Sequence, residues 1–377
     1  MYNRILKPLL FRLDAERAHN LVTALMSVTA HTPAPAFFDA LRAQDDPILA
    51  TDVAGLCLSN PIGLAAGFDK RAVAIEPIAM LGFGHVEVGT VTPRPQPGNP
   101  RPRMFRLPED RALINRLGFN SPGMVAVARN LRVRGSGIRG QRERARPLIP
   151  DPRTLVVGVN IGKNRDTPLE RATVDYLAAF IALAPLADYV TVNISSPNTA
   201  GLRRLHERAA LEELLGELAA LNRRLARPRP LFLKVSPDET PAQLEQVAQV
   251  ACTVGLAGLI ATNTTVAREG LRSPLAREDG GLSGRPLAAR ARQACAQLYQ
   301  LTEGRLPLIG AGGVSSGADA YAHIRAGASL VQLYTALVYE GPRLIAVIKR
   351  DLARLLRRNG FRSVAEAVGV DTHSSIA

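Results

Sequence analysis

The sequence predicts an α/β fold: a (β/α)8 barrel of the TIM type with an N-terminal α-helical extension. Three observations carry the prediction. Short apolar, β-branched runs recur from about residue 55, each run ends in a turn rich in Gly, Asn, Ser or Thr, and a helix-patterned stretch follows. Eight such units follow one another, as one barrel requires. A doubly wound open sheet is the competing architecture, but no Gly-x-Gly-x-x-Gly opens the first helix.

Composition bounds the function. With 377 residues, 46% hydrophobic, 21% charged and 5% aromatic, the chain is an ordinary globular protein, which excludes fibrous and wholly disordered classes. No run approaches the ~18 apolar residues of a membrane-spanning helix. Cys57, Cys252 and Cys295 are scattered and in no metal-ligand spacing, which argues for a reducing compartment and against zinc. The net charge is +14, yet only five of the 47 cations are lysine. Arginines spread along helices read as a solvated basic surface, so no nucleic-acid partner is expected; an anionic membrane surface remains compatible. The five lysines are informative because a guanidinium does not fit everywhere an ammonium does.

The first segment, 1–40, reads as a helical hairpin. Ile5, Leu6, Leu9, Leu10 and Leu13 form one apolar stripe beside Arg4, Lys7 and Arg12; Asp14 caps a second helix on which Leu21, Val22, Leu25 and Met26 share a face. Spacing alone fits equally a hairpin packed on its own domain and one lying on a membrane surface. The barrel occupies 41–360. Its strands are read at Ile62–Ala66, His85–Thr90, Leu155–Asn160, Tyr189–Asn193, Leu231–Val235, Gly258–Thr262, Leu308–Ala311 and Leu330–Tyr334. Helices are read at Thr173–Leu183, Ala209–Leu225, Pro241–Thr253, Leu287–Leu301, Gly317–Ala326 and Pro342–Leu356. Residues 91–120 form a Pro-rich excursion long enough to serve a site. Residues 131–154, Arg-rich to 146, read as an exposed loop with no assigned role, and 361–377 as a weakly patterned tail.

Barrel function sits at the C-terminal ends of the strands. Seven of the 14 asparagines (Asn115, Asn120, Asn160, Asn164, Asn193, Asn198 and Asn263) fall there, as do Lys70, Lys163 and Lys234. One such asparagine is ordinarily a turn cap. Seven on one rim suit a planar ligand edged with alternating donors and acceptors, such as a pyrimidinedione or a flavin. Gly280–Gly284, the run Gly310–Gly317 and Tyr334-Thr335 read as a phosphate cradle. No metal ligands cluster, and no carboxylate pair of the glycosidase kind stands on the rim. His85 reads as a strand residue, His206 as a surface loop residue, and Lys349 as lying on a surface helix.

The runs AAGFDK (65–70), EVGTVTPRPQPGNPRPRMFRLPED (87–110), INRLGFNS (114–121), VNIGKN (159–164), VNISSPNTAGLR (192–203), LKVSPD (233–238), ATNTT (261–265), GGLSGRPL (280–287) and GAGGV (310–314) resemble class 2 dihydroorotate dehydrogenase. LLFRLDAERAH (9–19) resembles that class's N-terminal extension. The resemblance implies an FMN barrel that oxidises dihydroorotate to orotate in pyrimidine synthesis and reduces a membrane quinone. It implies a peripheral position on the cytoplasmic side of a bacterial inner membrane, with no partner protein required. It places FMN at Ala66, Gly67, Lys70, Thr90, Asn160, Asn193, Lys234, Thr262, Gly284, Gly313, Tyr334 and Thr335. Dihydroorotate is implied at Lys70, Asn115, Arg116, Leu117, Gly118, Phe119, Asn193, Asn198, Asn263 and Thr264. Ser196 matches the catalytic base, where class 1 enzymes carry cysteine. His19, Arg106 and Tyr334 match positions near the quinone tunnel. The competing readings are another FMN barrel using NAD(P)H, weakened by the absence of an iron–sulfur cysteine set and a nicotinamide fingerprint, and a basic RNA- or membrane-binding module.

Overall fold

The computed structural model describes residues 2–29, 45–142, 155–199 and 201–372, and of residues 29 and 134–142 the backbone alone. The assumed domain boundary at 40 therefore lies outside the described residues.

Tyr2–Leu6 winds into α1 (Lys7–Arg12), and α2 (Ala15–Thr29) follows. Asp14 caps α2 as the sequence suggests, accepting from the Glu16 and Arg17 amides at 3.0 Å. A hairpin of β1 (Thr51–Val53) and β2 (Leu56–Leu58) comes next. Ala54 and Gly55 both adopt positive φ (54° and 75°), as a two-residue hairpin turn requires. Val53, Leu56 and Leu58 join Val156, Tyr189, Phe232, Ile260 and Leu330 in a cluster that plugs one end of the barrel.

The barrel strands are β3 (Ile62–Leu64) and β4 (His85–Val91). The excursion carries β5 (Met104–Leu107) and β6 (Ala112–Asn115), after which come β7 (Val156–Ile161), β8 (Tyr189–Asn193), β9 (Leu231–Val235) and β10 (Gly258–Ala261). β11 (Gly281–Gly284), β12 (Leu308–Ala311) and β13 (Ala328–Leu333) complete the set. Eight of them close a parallel barrel in chain order, β3-β4-β7-β8-β9-β10-β12-β13, with β13 paired back onto β3. Alternation along each strand sends Val86, Val88, Val190 and Val192 outward into the main core under the helices. Helix ends obey local chemistry: Thr240 and Gln243 form a capping box ahead of Pro241–Val254, which stops at Gly255 in the left-handed conformation (φ 77°).

The structure departs from the sequence expectations in specific places. The Pro-rich excursion carries strands that were not assigned: β5 and β6 pair antiparallel, and β11 joins them from the loop after β10. Residues 131–142, expected as a loop, continue the Met124–Arg142 helix. An unanticipated short helix, Thr335–Glu340, follows β13 directly. Lys349 is not on the surface: it is buried and pairs with Asp45 at 2.7 Å. His206 is buried as well, 3.0 Å from the Glu239 carboxylate. The tail carries a helical turn, Val364–Ala367, packed into the core.

Candidate active site

The C-terminal ends of the strands enclose one large cavity. Ala65, Ala66 and Gly67 follow β3. Gly67 adopts φ 105°, and its amide donates to the Gly89 carbonyl at 2.7 Å. Asp69 steadies this turn by accepting from the amides of Arg71, Val73 and Ala74. Lys70 then points its ammonium at the Asn120 side-chain oxygen. Burial, helped by the nearby Arg103 charge, pushes the Lys70 amine down to about 7.

Amides form a connected ring behind the cavity surface. Thr90 donates to Asn160 Oδ1 at 2.6 Å, and Asn193 Nδ2 donates to the same oxygen and to Thr90 Oγ1 at 3.1 Å. Asn263 Nδ2 donates to Asn193 Oδ1 at 3.2 Å and to Ser195 Oγ at 2.9 Å. On the excursion side, Asn198 Nδ2 donates to the Asn115 carbonyl at 3.0 Å. Ser196 is almost fully buried, lines the cavity, and accepts from the Asn198 amide at 3.3 Å.

At the opposite end of the cavity lie Gly284, Arg285, Gly312, Gly313, Ser315 and Thr335. Gly284 (φ 98°), Gly312 (φ 131°) and Gly313 (φ 74°) hold backbone shapes a side chain resists. A Cβ at Gly313 would also strike Ala288 at 2.4 Å. Backbone amides on a glycine-rich turn, beside the start of a short extra helix, are the ordinary setting for a barrel's phosphate.

A second, polar cavity separates α2 from the barrel mouth and shares Gly67 and Lys70 with the first. His19 packs edge-on to Phe68, ring centroids 5.3 Å apart, and its Nδ1 lies 3.4 Å from the Tyr334 hydroxyl. Burial, then the Lys70 charge, lower His19 to about 4, so its ring is neutral near pH 7. Arg106 donates to the Leu10 carbonyl at 2.9 Å and to the Leu13 carbonyl, and stacks on Phe11 at 4.6 Å.

Most sequence-selected residues meet here. Ala66, Gly67, Lys70, Thr90, Asn115, Leu117, Gly118, Phe119, Asn193, Ser196, Asn198, Lys234, Thr262, Asn263, Thr264, Gly284, Gly313, Tyr334 and Thr335 all line the first cavity. Asn160 does not line it; it stands behind Thr90 and Asn193. Arg116 turns away, its guanidinium 2.7 Å from Glu278 and stacked on Phe105. Lys163 is also off the cavity and ties down its own loop by donating to the Asn164 and Thr167 carbonyls. Sequence reasoning missed Glu87 and Gln332, whose signal was a polar residue inside an otherwise apolar strand. It also missed Arg285 as a lining residue, whereas Ser315 lies in the Gly310–Gly317 run read as the cradle.

Donor chemistry tests which group fits. Lys234 is 5% exposed, makes no hydrogen bond among the described residues, and has only the Glu87 carboxylate at 3.9 Å. A buried ammonium facing a cavity calls for an acceptor from the ligand. The amide ring, this ammonium and the glycine cradle together suit a flat, phosphorylated cofactor with a carbonyl-edged ring. Among the described residues no group of three or more His, Cys, Asp or Glu could hold a metal ion, and no helix is long and apolar enough to cross a membrane.

Comparison with known proteins agrees with this geometry. A sequence model of the dihydroorotate dehydrogenase family matches residues 48–356. A relative from a Roseiflexus species, named dihydroorotate dehydrogenase (quinone), is 63% identical over 367 residues, covering 97% of each chain. A Rhodospirillum rubrum relative of the same name is 53% identical over 374 residues, covering 98% of this chain and 94% of that one. A crystal structure of DHODH from Eimeria tenella, in complex with ferulenol, superposes with TM-score 0.86 at 40% identity, over 95% of this chain and 96% of that one. With its closed barrel and N-terminal helices, the chain belongs to the dihydroorotate dehydrogenase family, in the quinone-dependent class 2.

Proposed function

We propose that the protein oxidises dihydroorotate to orotate in pyrimidine synthesis, with FMN as its prosthetic group and a membrane quinone as electron acceptor. The observation that carries this reading is the convergence of Ser196, the asparagine ring and the Lys234 ammonium on one cavity backed by a glycine cradle. FMN held there would supply the two-electron acceptor for a hydride from one substrate ring carbon and the redox link to the quinone.

The chain's own residues do the rest. Ser196 takes the proton from the neighbouring ring carbon, and Asn115, Asn198, Asn263 and Thr264 hold the substrate's amide edge. A free hydroxyl is a weak base, so Ser196 works in a desolvated pocket and hands the proton on. Lys234 would meet a carbonyl edge of the flavin and favour added negative charge there. Gly284, Gly313 and Thr335 would hold the phosphate.

The quinone approaches between α2 and the barrel, past His19, Phe68 and Tyr334, with Arg106 beside it. Exposed Ile5, Leu6, Leu9, Leu13, Leu21, Leu25 and Val28 support docking of the N-terminal helices on a membrane surface, with Arg4 and Arg12 at the headgroups. The proposed site of action is the cytoplasmic face of the bacterial inner membrane. The test is a steady-state assay of orotate formation with a short-tailed quinone or with NAD+ as acceptor: turnover with quinone alone supports the reading, and turnover with NAD+ alone overturns it.

A further inference from the structure

Glu87 lies on β4 inside the barrel and is completely buried. Its Oε1 accepts from Asn160 Nδ2 at 2.8 Å; its Oε2 accepts from Thr191 Oγ1 at 3.0 Å, Gln332 Nε2 at 3.2 Å and the Tyr189 hydroxyl at 3.4 Å. Burial, and then the Glu87 charge, hold the Tyr189 phenol well above its usual range, so it remains a donor. The Lys234 ammonium on β9 completes the circle at 3.9 Å. Each of the four hydrogen-bonded side chains donates to the carboxylate.

An acceptor fixed at the bottom fixes the amides above it. Asn160 must turn its nitrogen to Glu87, which leaves Oδ1 to accept from Thr90 and Asn193. Asn193 must then offer its own Oδ1 to Asn263. The donor direction of three cavity residues therefore traces back to one carboxylate that never reaches the cavity.

We propose that Glu87 is a positioning residue for the redox reaction: it anchors the Lys234 ammonium as a counter-charge beside the flavin and sets the polarity of Thr90, Asn193 and Asn263. This rests on the placement of the flavin ring against Lys234 proposed above. The electrostatic consequence has a sign. Reduction adds negative charge to the flavin, and the Glu87 carboxylate partly cancels the cation that would welcome it, so Glu87 holds the potential down. Removing its charge raises the potential.

The experiment is the flavin midpoint potential of the full-length holoprotein near neutral pH. Glu87→Gln is expected to shift the midpoint positive. Lys234→Met should shift it negative, and Glu87→Gln should still shift it positive on that background, since the carboxylate opposes added negative charge with or without the lysine. If Lys234→Met moves the potential but Glu87→Gln leaves it unchanged, the inference is overturned. If Lys234→Met itself changes nothing, the flavin placement is wrong and the inference falls with it. Should Glu87→Gln lose flavin outright, Glu87→Asp, which keeps the charge, is expected to retain FMN with a midpoint close to wild type. A Glu87→Asp variant as empty as Glu87→Gln would overturn the inference, because Glu87 would then only prop up the fold.

Discussion

Glu16 of α2 forms a buried, two-pronged ion pair with Arg103 of the barrel excursion: Nη2 lies 2.7 Å from Oε1 and Nε 3.0 Å from Oε2. The remaining Arg103 nitrogen donates to the Pro97 and Asn99 carbonyls at 2.6 and 2.7 Å. Asn99 in turn donates to the Asn198 carbonyl at 3.4 Å, on the loop that carries Ser196. The helix at the proposed quinone entrance and the loop of the proposed base thus share one polar tie.

This tie titrates. Burial alone would raise the Glu16 carboxyl, but hydrogen bonds from Arg103 and Arg101 overcome it and hold the group at about 2, against an ordinary 4.5. A depressed value means the stabilisation is complete above about pH 4.5 and is lost as the pH falls toward 2. Thermal unfolding of wild type and Glu16→Gln should therefore differ by a constant gap near neutrality, and that gap should close as the buffer is acidified through this window. Breaking one side of a buried pair costs about 3–5 kcal/mol, so the gap should be easily resolved. A gap that persists at pH 2 would show that the carboxylate charge contributes nothing.

Ser196→Ala should retain FMN and bind orotate while its flavin is reduced by dihydroorotate about 10²–10⁴-fold more slowly, the usual contribution of a positioned proton acceptor. Ser196→Cys should recover part of that rate at higher pH, as thiolate forms. Stopped-flow absorbance reads both, and wild-type kinetics in Ser196→Ala would remove the serine from the mechanism.

Two buried lysines should behave oppositely. Lys234→Arg should lose FMN affinity or shift the flavin potential, because a forked guanidinium cannot replace a compact ammonium beside the ring. Lys349 was expected to tolerate arginine on a surface helix; its burial against Asp45 replaces that expectation. Lys349→Ala should lower stability by about 3–5 kcal/mol yet leave the flavin potential alone. Denaturant melts and potentiometry on the pair separate the roles, and an altered potential in Lys349→Ala would contradict them.

Deleting residues 1–40 should leave a folded, yellow protein whose flavin is still reduced by dihydroorotate, since every residue proposed to contact FMN or substrate belongs to the barrel. Its reoxidation by a long-tailed quinone and its binding to anionic vesicles should both weaken, because His19 and the exposed leucines of α1 and α2 are gone. A deletion that unfolds or sheds FMN would show that the hairpin is chiefly a buttress.

The barrel was legible because parallel strands covered on both faces read as unbroken apolar runs, each closed by its own turn. The rim was legible for the same reason: once the strand ends are known, so are the residues after them. What stayed hidden depends on partners far along the chain. β5 and β6 are four residues each in a Pro-rich stretch, and β11 reaches them only from beyond β10. Lys349 shares its helix face with Ile345, Ile348 and Leu352, a placement the periodicity could have disclosed, but its partner Asp45 lies 304 positions away. Glu87 was visible as a lone acid in HVEVGTV; its meaning needed the donors from β7, β8 and β13 that only the closed barrel assembles.

The central claim is tested most directly by mixing the full-length holoprotein with dihydroorotate in the absence of oxygen and following the flavin absorbance. The account predicts rapid bleaching with one orotate formed per flavin, no bleaching by NADH, and recovery of colour on adding quinone. Flavin that stays oxidised with dihydroorotate but bleaches with NADH would contradict it.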